Sequence, residues 1–154
     1  MDARIALLPF TLALLATPGF AEEQSATMRV SLVVRPSCSV NAGPMVFHTR
    51  AGDEAEARSQ IAVSCNGDVP FVVALDEGAH ANGGQRQLAG EGGFVAYDLY
   101  RDPARQERWD AGQVVTGTTS QGEYRLAAYG RVAGDATTGA RGRYTDTVTV
   151  TVAF

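Results

Sequence analysis

A chain of 154 residues, 45% hydrophobic and 19% charged, is long enough to bury one core and too apolar for a disordered tail. Its thirteen basic residues are all arginine, and seventeen acids outweigh them to a net charge of −4. That balance excludes the electrostatic footprint of a nucleic-acid binder or of a protein held on anionic lipid.

Residues 1–21 read as a secretory signal peptide. Arg4 supplies the basic start, Ile5 to Ala16 the apolar stretch, and Gly19 and Ala21 the small residues of a cleavage site. An apolar run this short is marginal for a bilayer span, so the expectation is an exported protein beginning near Glu22 with no direct membrane insertion. Loss of Asp2 with Arg4 leaves the charge of the mature chain unchanged. The next segment, Ala26 to Arg35, alternates: Met28, Val30, Leu32 and Val34 fall on one side, with Thr27, Arg29 and Ser31 on the other. Such a period predicts a strand with one buried face. Placed at the head of the mature chain, it needs a groove in its own domain or in a neighbour's.

Arg35-Pro-Ser37 interrupts that pattern and Cys38-Ser-Val40 restarts it. Gly43-Pro44 precedes a short apolar run, Met45 to Phe47, and residues 49–58 read as a solvated polar loop, with a helical turn at Asp53 to Arg58 as the alternative. Gln60 to Cys65 alternates as a strand, closed by the turn pair Asn66-Gly67. Pro70 to Leu75 is the next strand, with proline at its tolerated first position. Residues 76–93 are glycine-rich and read as a long mobile loop, with a short pairing around Arg86 to Leu88. Phe94 to Tyr100 is a strong strand. A polar connection carrying Trp109 follows, then a brief pairing at Gln113 to Thr116 and a strand at Tyr124 to Tyr129. The segment Tyr144 to Phe154 alternates without a break. Helix signals are nearly absent, and many short strands with turn chemistry between them predict an all-β sandwich. In an exported chain Cys38 and Cys65 are expected to form one disulfide. His48 and His80 lack ligand-like spacing, so no metal or cofactor is expected.

Several of these pieces together resemble the spore coat protein U family, which includes the pilins of archaic chaperone–usher pili. They are Cys38-Ser-Val40, Ile61-Ala-Val-Ser-Cys65, Pro70 to Gly78, Tyr97-Asp-Leu-Tyr100 with Trp109, Tyr129-Gly-Arg131 and Gly142 to Phe154. Two departures stand out: Asp98 where asparagine is expected, and Trp109-Asp110 where the family has Trp-Gly more often. The resemblance implies an incomplete immunoglobulin-like β-sandwich, residues 38–154, completed by donor-strand exchange. It assigns residues 22–37 to a donor extension that fills a neighbour's groove with Met28, Val30, Leu32 and Val34. Val148, Val150, Val152 and Phe154 would border that groove, with the terminal carboxylate as a handle for a chaperone. The implied partners are a periplasmic pilus chaperone, an outer-membrane usher, and identical or homologous pilus subunits. The implied path runs through the periplasm to a cell-surface pilus with a role in attachment and biofilm formation.

Three rivals are weaker. A small outer-membrane β-barrel also alternates to a terminal phenylalanine, but the middle segments alternate poorly and aromatics for two membrane girdles are few. An enzyme would need a nucleophile motif that is absent; Asp53, Glu54 and Glu56 read as a solvated patch and His48 as a strand-end residue. A sugar-binding sandwich would display Tyr97, Tyr100 and Trp109, residue types that in a sandwich more often fill the core. A secreted, self-complemented sandwich that never polymerises is the remaining alternative.

Overall fold

The computed structural model describes Gly19 and residues 22–154, so the expected signal peptide lies, but for Gly19, outside the described residues. The chain divides into two units, Met1–Val33 and Val34–Phe154. Within the first, residues 22–33 contain no helix or strand, and Met28, Val30 and Leu32 are 87%, 84% and 85% exposed. The strand expected over Ala26 to Arg35 is therefore not formed. A strand exists only through hydrogen bonds to a neighbour, and this segment has no ladder partner among the described residues.

The second unit is all-β apart from one 3₁₀ turn at Asp135–Thr137. Its strands are β1 (Cys38–Ala42), β2 (Ala55–Cys65), β3 (Pro70–Leu75), β4 (Gln87–Gly90), β5 (Gly93–Ala96), β6 (Asp98–Tyr100), β7 (Val114–Thr118), β8 (Glu123–Val132), β9 (Tyr144–Thr145) and β10 (Val150–Ala153). One sheet runs β1-β2-β8-β6, a second β10-β3-β7, and a small third β5-β4-β9, all antiparallel. None closes on itself, so the architecture is an open sandwich and not a barrel.

Ile61 and Val63 of β2 meet Phe71, Val73 and Leu75 of β3 across the sandwich, with Trp109 fully buried among them. Tyr97 and Tyr100 are likewise buried. Trp109 and Tyr97 belong to the core between the sheets, whereas Tyr100, opposite Tyr129 in the β6–β8 register, is buried on the other face of its sheet under the Arg131 guanidinium.

Four expectations are corrected. Residues 55–58 are strand, not loop or helical turn: Ala55 and Ala57 point inward, Glu56 and Arg58 outward, and the whole of β2 zips against β8 from Ala55↔Val132 to Ser64↔Glu123. Small inward residues gave the eye no apolar pattern to follow. The segment Phe94 to Tyr100 is two strands, because the chain changes sheets at Tyr97. The terminal segment is also two strands, with an irregular stretch over residues 146–149. Finally, residues 76–93 are no long free loop: the pairing expected around Arg86 to Leu88 is present as β4, which pairs with both β5 and β9.

Cys38 and Cys65 face each other in the β1–β2 register and are disulfide-bonded, as expected. Their separation of 27 residues sets the size of the effect. Replacing both by serine should lower the unfolding free energy by about 3–4 kcal/mol, through the loop-closure entropy returned to the unfolded chain. Denaturant titration of the oxidised and double-serine chains measures it; coincident midpoints would contradict it.

Candidate functional site

Antiparallel partners directly opposite each other share a face of the sheet. Val40 lies opposite Val63 and Ala42 opposite Ile61, and both partners are buried, so Val40 and Ala42 face the interior. Yet Val40 is 39% exposed and Ala42 is exposed too. The same holds across the sandwich. Val150 lies opposite Leu75 and Val152 opposite Val73, both partners buried, while Val150 and Val152 are only half-buried. Two sheet edges thus carry interior-facing side chains that the strands cover only in part. Among the described residues, β1 pairs with β2 alone and β10 with β3 alone.

Between these edges runs an apolar cleft of about 310 Å³. Ala42, Met45 and Phe47 form one lip, Val148 and Val150 the other; Ile61, Leu75, Leu88, Leu99 and Ala128 form the floor. The first lip depends on a glycine. Gly130 of β8 faces inward at a place where a Cβ would collide with Met45 and the Phe47 ring, so its bare backbone lets both side chains lie down beside the core. Of the expected border residues, Val148 and Val150 line this cleft. Val152 continues the same face of β10, and Phe154, 56% exposed, lines a separate shallow depression with Pro70, Val72, Thr116 and Thr118.

One end of the cleft is polar. Tyr97 and Asp146 line it, and the Asp146 side chain is 2% exposed. The Tyr97 hydroxyl donates to Asp146 Oδ2 at 2.7 Å, while Oδ1 receives the His80 backbone N–H at 3.2 Å and lies 3.0 Å from His80 Nδ1. Burial pushes the Tyr97 phenol well above its ordinary pKa, and Asp146 beside it pushes further, so the phenol remains a donor. Gly78, with φ +82°, packs where a side chain would strike the Asp146 carboxylate.

A second carboxylate replaces ladder bonds in the irregular stretch. Asp76 Oδ1 accepts the Thr149 N–H at 2.8 Å and the Gly78 N–H at 3.0 Å, and the Asp76 N–H donates to the Thr149 carbonyl at 3.1 Å. Burial alone would raise the Asp76 pKa; the hydrogen bonds from Thr149 and Gly78, with the charge of Arg86, outweigh it and hold the carboxyl below its ordinary value. Arg86 is itself buried, donating from Nε to the Asp76 carbonyl at 3.0 Å and from Nη1 to the Trp109 carbonyl at 2.8 Å. This guanidinium anchors the glycine-rich segment that the sequence presents as mobile.

The sequence assigns Asp76, Arg86 and Asp146 no site role, and it offers His80 only as a metal ligand without ligand-like spacing. Asp146 had a signal: it occupies the inward phase of the terminal alternation, with Tyr144, Val148 and Val150, where a carboxylate requires partners. His48 is exposed at the surface, in the irregular stretch between β1 and β2 rather than at a strand end.

The sequence matches the Spore Coat Protein U domain family over residues 24–151. The chain belongs to that family. Among solved structures it is similar to a chain in the CsuC–CsuE chaperone–tip adhesion subunit pre-assembly complex from the archaic chaperone–usher Csu pili of Acinetobacter baumannii. There the identity is 26% and the TM-score 0.62, covering 79% of this chain and 40% of that one. A chain of a chaperone–tip adhesin complex from CFA/I fimbriae biogenesis also matches, at 11% identity and TM-score 0.44, over 73% of this chain and 40% of that one. This spore coat U chain thus spans about two fifths of the length of the structures it matches. No curated protein matches it.

Because Asp76 has a lowered pKa in the folded chain, its contribution is complete above the unfolded carboxyl range near pH 4 and is lost as pH falls through the lowered value. Asp76→Asn should therefore melt below the unsubstituted chain at pH 6, with the gap closing towards pH 2. Melting curves across that range measure it, and a gap independent of pH would contradict the assignment.

Proposed function

We propose that this chain is a structural subunit of an archaic chaperone–usher pilus, completed by a strand from another copy. The observation that carries the reading is the pair of uncovered interior faces, Val40 and Ala42 on one lip and Val150 and Val152 on the other. A sandwich that leaves core side chains open along two unpaired strand edges lacks a strand. The same chain carries an exposed segment with the matching period: Met28, Val30, Leu32 and Val34. In the proposed assembly these residues of one copy lie in the cleft of the next, as residues of a donor extension spanning 22–37. Val148, Val150 and Val152 flank them.

The energetics suit a durable joint. Burying four such side chains contributes roughly 1.5–3 kcal/mol each before ordering costs. Main-chain hydrogen bonds to the free edge of β10 add strand pairing, the mode of β-augmentation. Each copy offers one extension and one cleft, so the contact is head-to-tail and grows into a fibre unless its rotation closes.

Before assembly the cleft needs a cover, which a periplasmic chaperone supplies in this reading; an outer-membrane usher then presides over the exchange for the next subunit's extension. The family membership and the likeness to a structure from a chaperone–pilus subunit complex support these partners. Residues 1–21 serve as the signal for export in this scheme. Surface attachment and biofilm formation belong to the assembled fibre.

Deleting residues 22–35 should leave a subunit that chaperone co-expression still recovers as a monomer but that forms no polymer. Leu32→Glu should do the same, since a charge in an apolar cleft is disfavoured by several kcal/mol. Gel filtration and electron microscopy of the released material measure both. Fibres that persist without residues 22–35 would contradict the donor assignment.

A further inference from the structure

We infer that Asn66 commits the extension to a second copy by keeping it from folding back into its own cleft, an inference that rests on the reading above. The register of β1 places Cys38 opposite Cys65, where the disulfide fixes the pair. One step further, Asn66 holds three main-chain groups. Its N–H donates to the Ser37 carbonyl at 3.0 Å, its Oδ1 accepts the Ser37 N–H at 3.0 Å, and its Nδ2 donates to the Arg35 carbonyl at 3.3 Å. Pro36, between them, has no N–H to place. Arg35 to Ser37 are thus tied to Asn66, on the β2 side of β1.

That attachment matters because β1 is itself a lip of the cleft. An extension returning to its own cleft must reverse beside β1, and a strand reversal uses two to five residues. If Arg35 to Ser37 were loose, they would supply the reversal and leave all four apolar side chains available to fill the cleft. With Arg35 and Ser37 both bonded to Asn66, the reversal must fall at Val34 or earlier. It then consumes Val34, and Leu32 as well once it takes three residues or more, up to half of the side chains meant for the interior. The kinetic stake is large, since a tethered strand meets its own cleft at an effective concentration in the millimolar range unless geometry forbids it. Asn66 supplies that geometric veto.

The test refolds the mature chain by dilution and separates monomer from polymer by gel filtration. Asn66→Ala, which loses two of the three bonds, should raise the ratio of self-closed monomer to polymer roughly fivefold to thirtyfold. Deleting residues 22–35 from that chain should abolish the extra stability of its monomer. Asn66→Asp, which keeps the bond to Ser37 and loses the one to Arg35, should fall between. As a folding control, Asn66→Ala lacking residues 22–35 should bind a free peptide of residues 22–35 as well as its Asn66 counterpart does. A monomer-to-polymer ratio unchanged by Asn66→Ala overturns the inference, and so does a truncated Asn66→Ala chain that cannot bind the peptide. If the Asn66 chain itself neither polymerises nor binds the peptide when truncated, the donor reading fails, and this inference with it.

Discussion

The structure turns on an interior that its own strands leave open. Hydrophobic side chains along β1 and β10 point into the sandwich, and no strand lies over them. Apolar area left in water at about 25 cal/mol per Å² is a standing driving force for whatever can cover it. The unpaired edge of β10 adds main-chain groups that only another strand satisfies well. Both demands have one geometry, an extended segment with alternate apolar residues, and residues 28–34 have that pattern.

The features around the cleft make sense as means of holding it open and in shape. Gly130 makes room for Met45 and Phe47 to form a lip where β1 has already ended. Asp146, gripped by Tyr97 and His80, ends the regular pairing of the terminal segment, and Asp76 takes over the Thr149 amide. Arg86 ties the long connection back to Asp76 and Trp109. Buried polar groups of this kind gain most when fully partnered, and each here has its partner. Such a frame lets the apolar middle remain uncovered without collapse of the segments that bound it.

Much of this was legible in the sequence because strands advertise themselves through period two. The disulfide, the cores of β2, β3 and β8, and the all-β class followed from alternation and turn residues. What escaped had physical reasons. The first half of β2 turns alanines inward, whose small side chains blur the contrast between faces. The strand at Phe94 to Tyr100 looks continuous, since a change of sheets at Tyr97 leaves no mark on composition. The cleft lip at Met45 and Phe47 rests on distant Gly130, and the polar end at Asp146 on Tyr97 and His80, which lie 49 and 66 residues away, and no local pattern encodes such contacts.

Hydrogen exchange along β10 tests the open edge most directly. It is measured in the chain lacking residues 22–35, alone and then assembled with copies that carry the extension. The account predicts that amides on the free edge of β10 exchange readily in the truncated chain and become strongly protected once the extension of another copy is bound. Equal protection in both states would contradict it, because the sandwich would then already be complete.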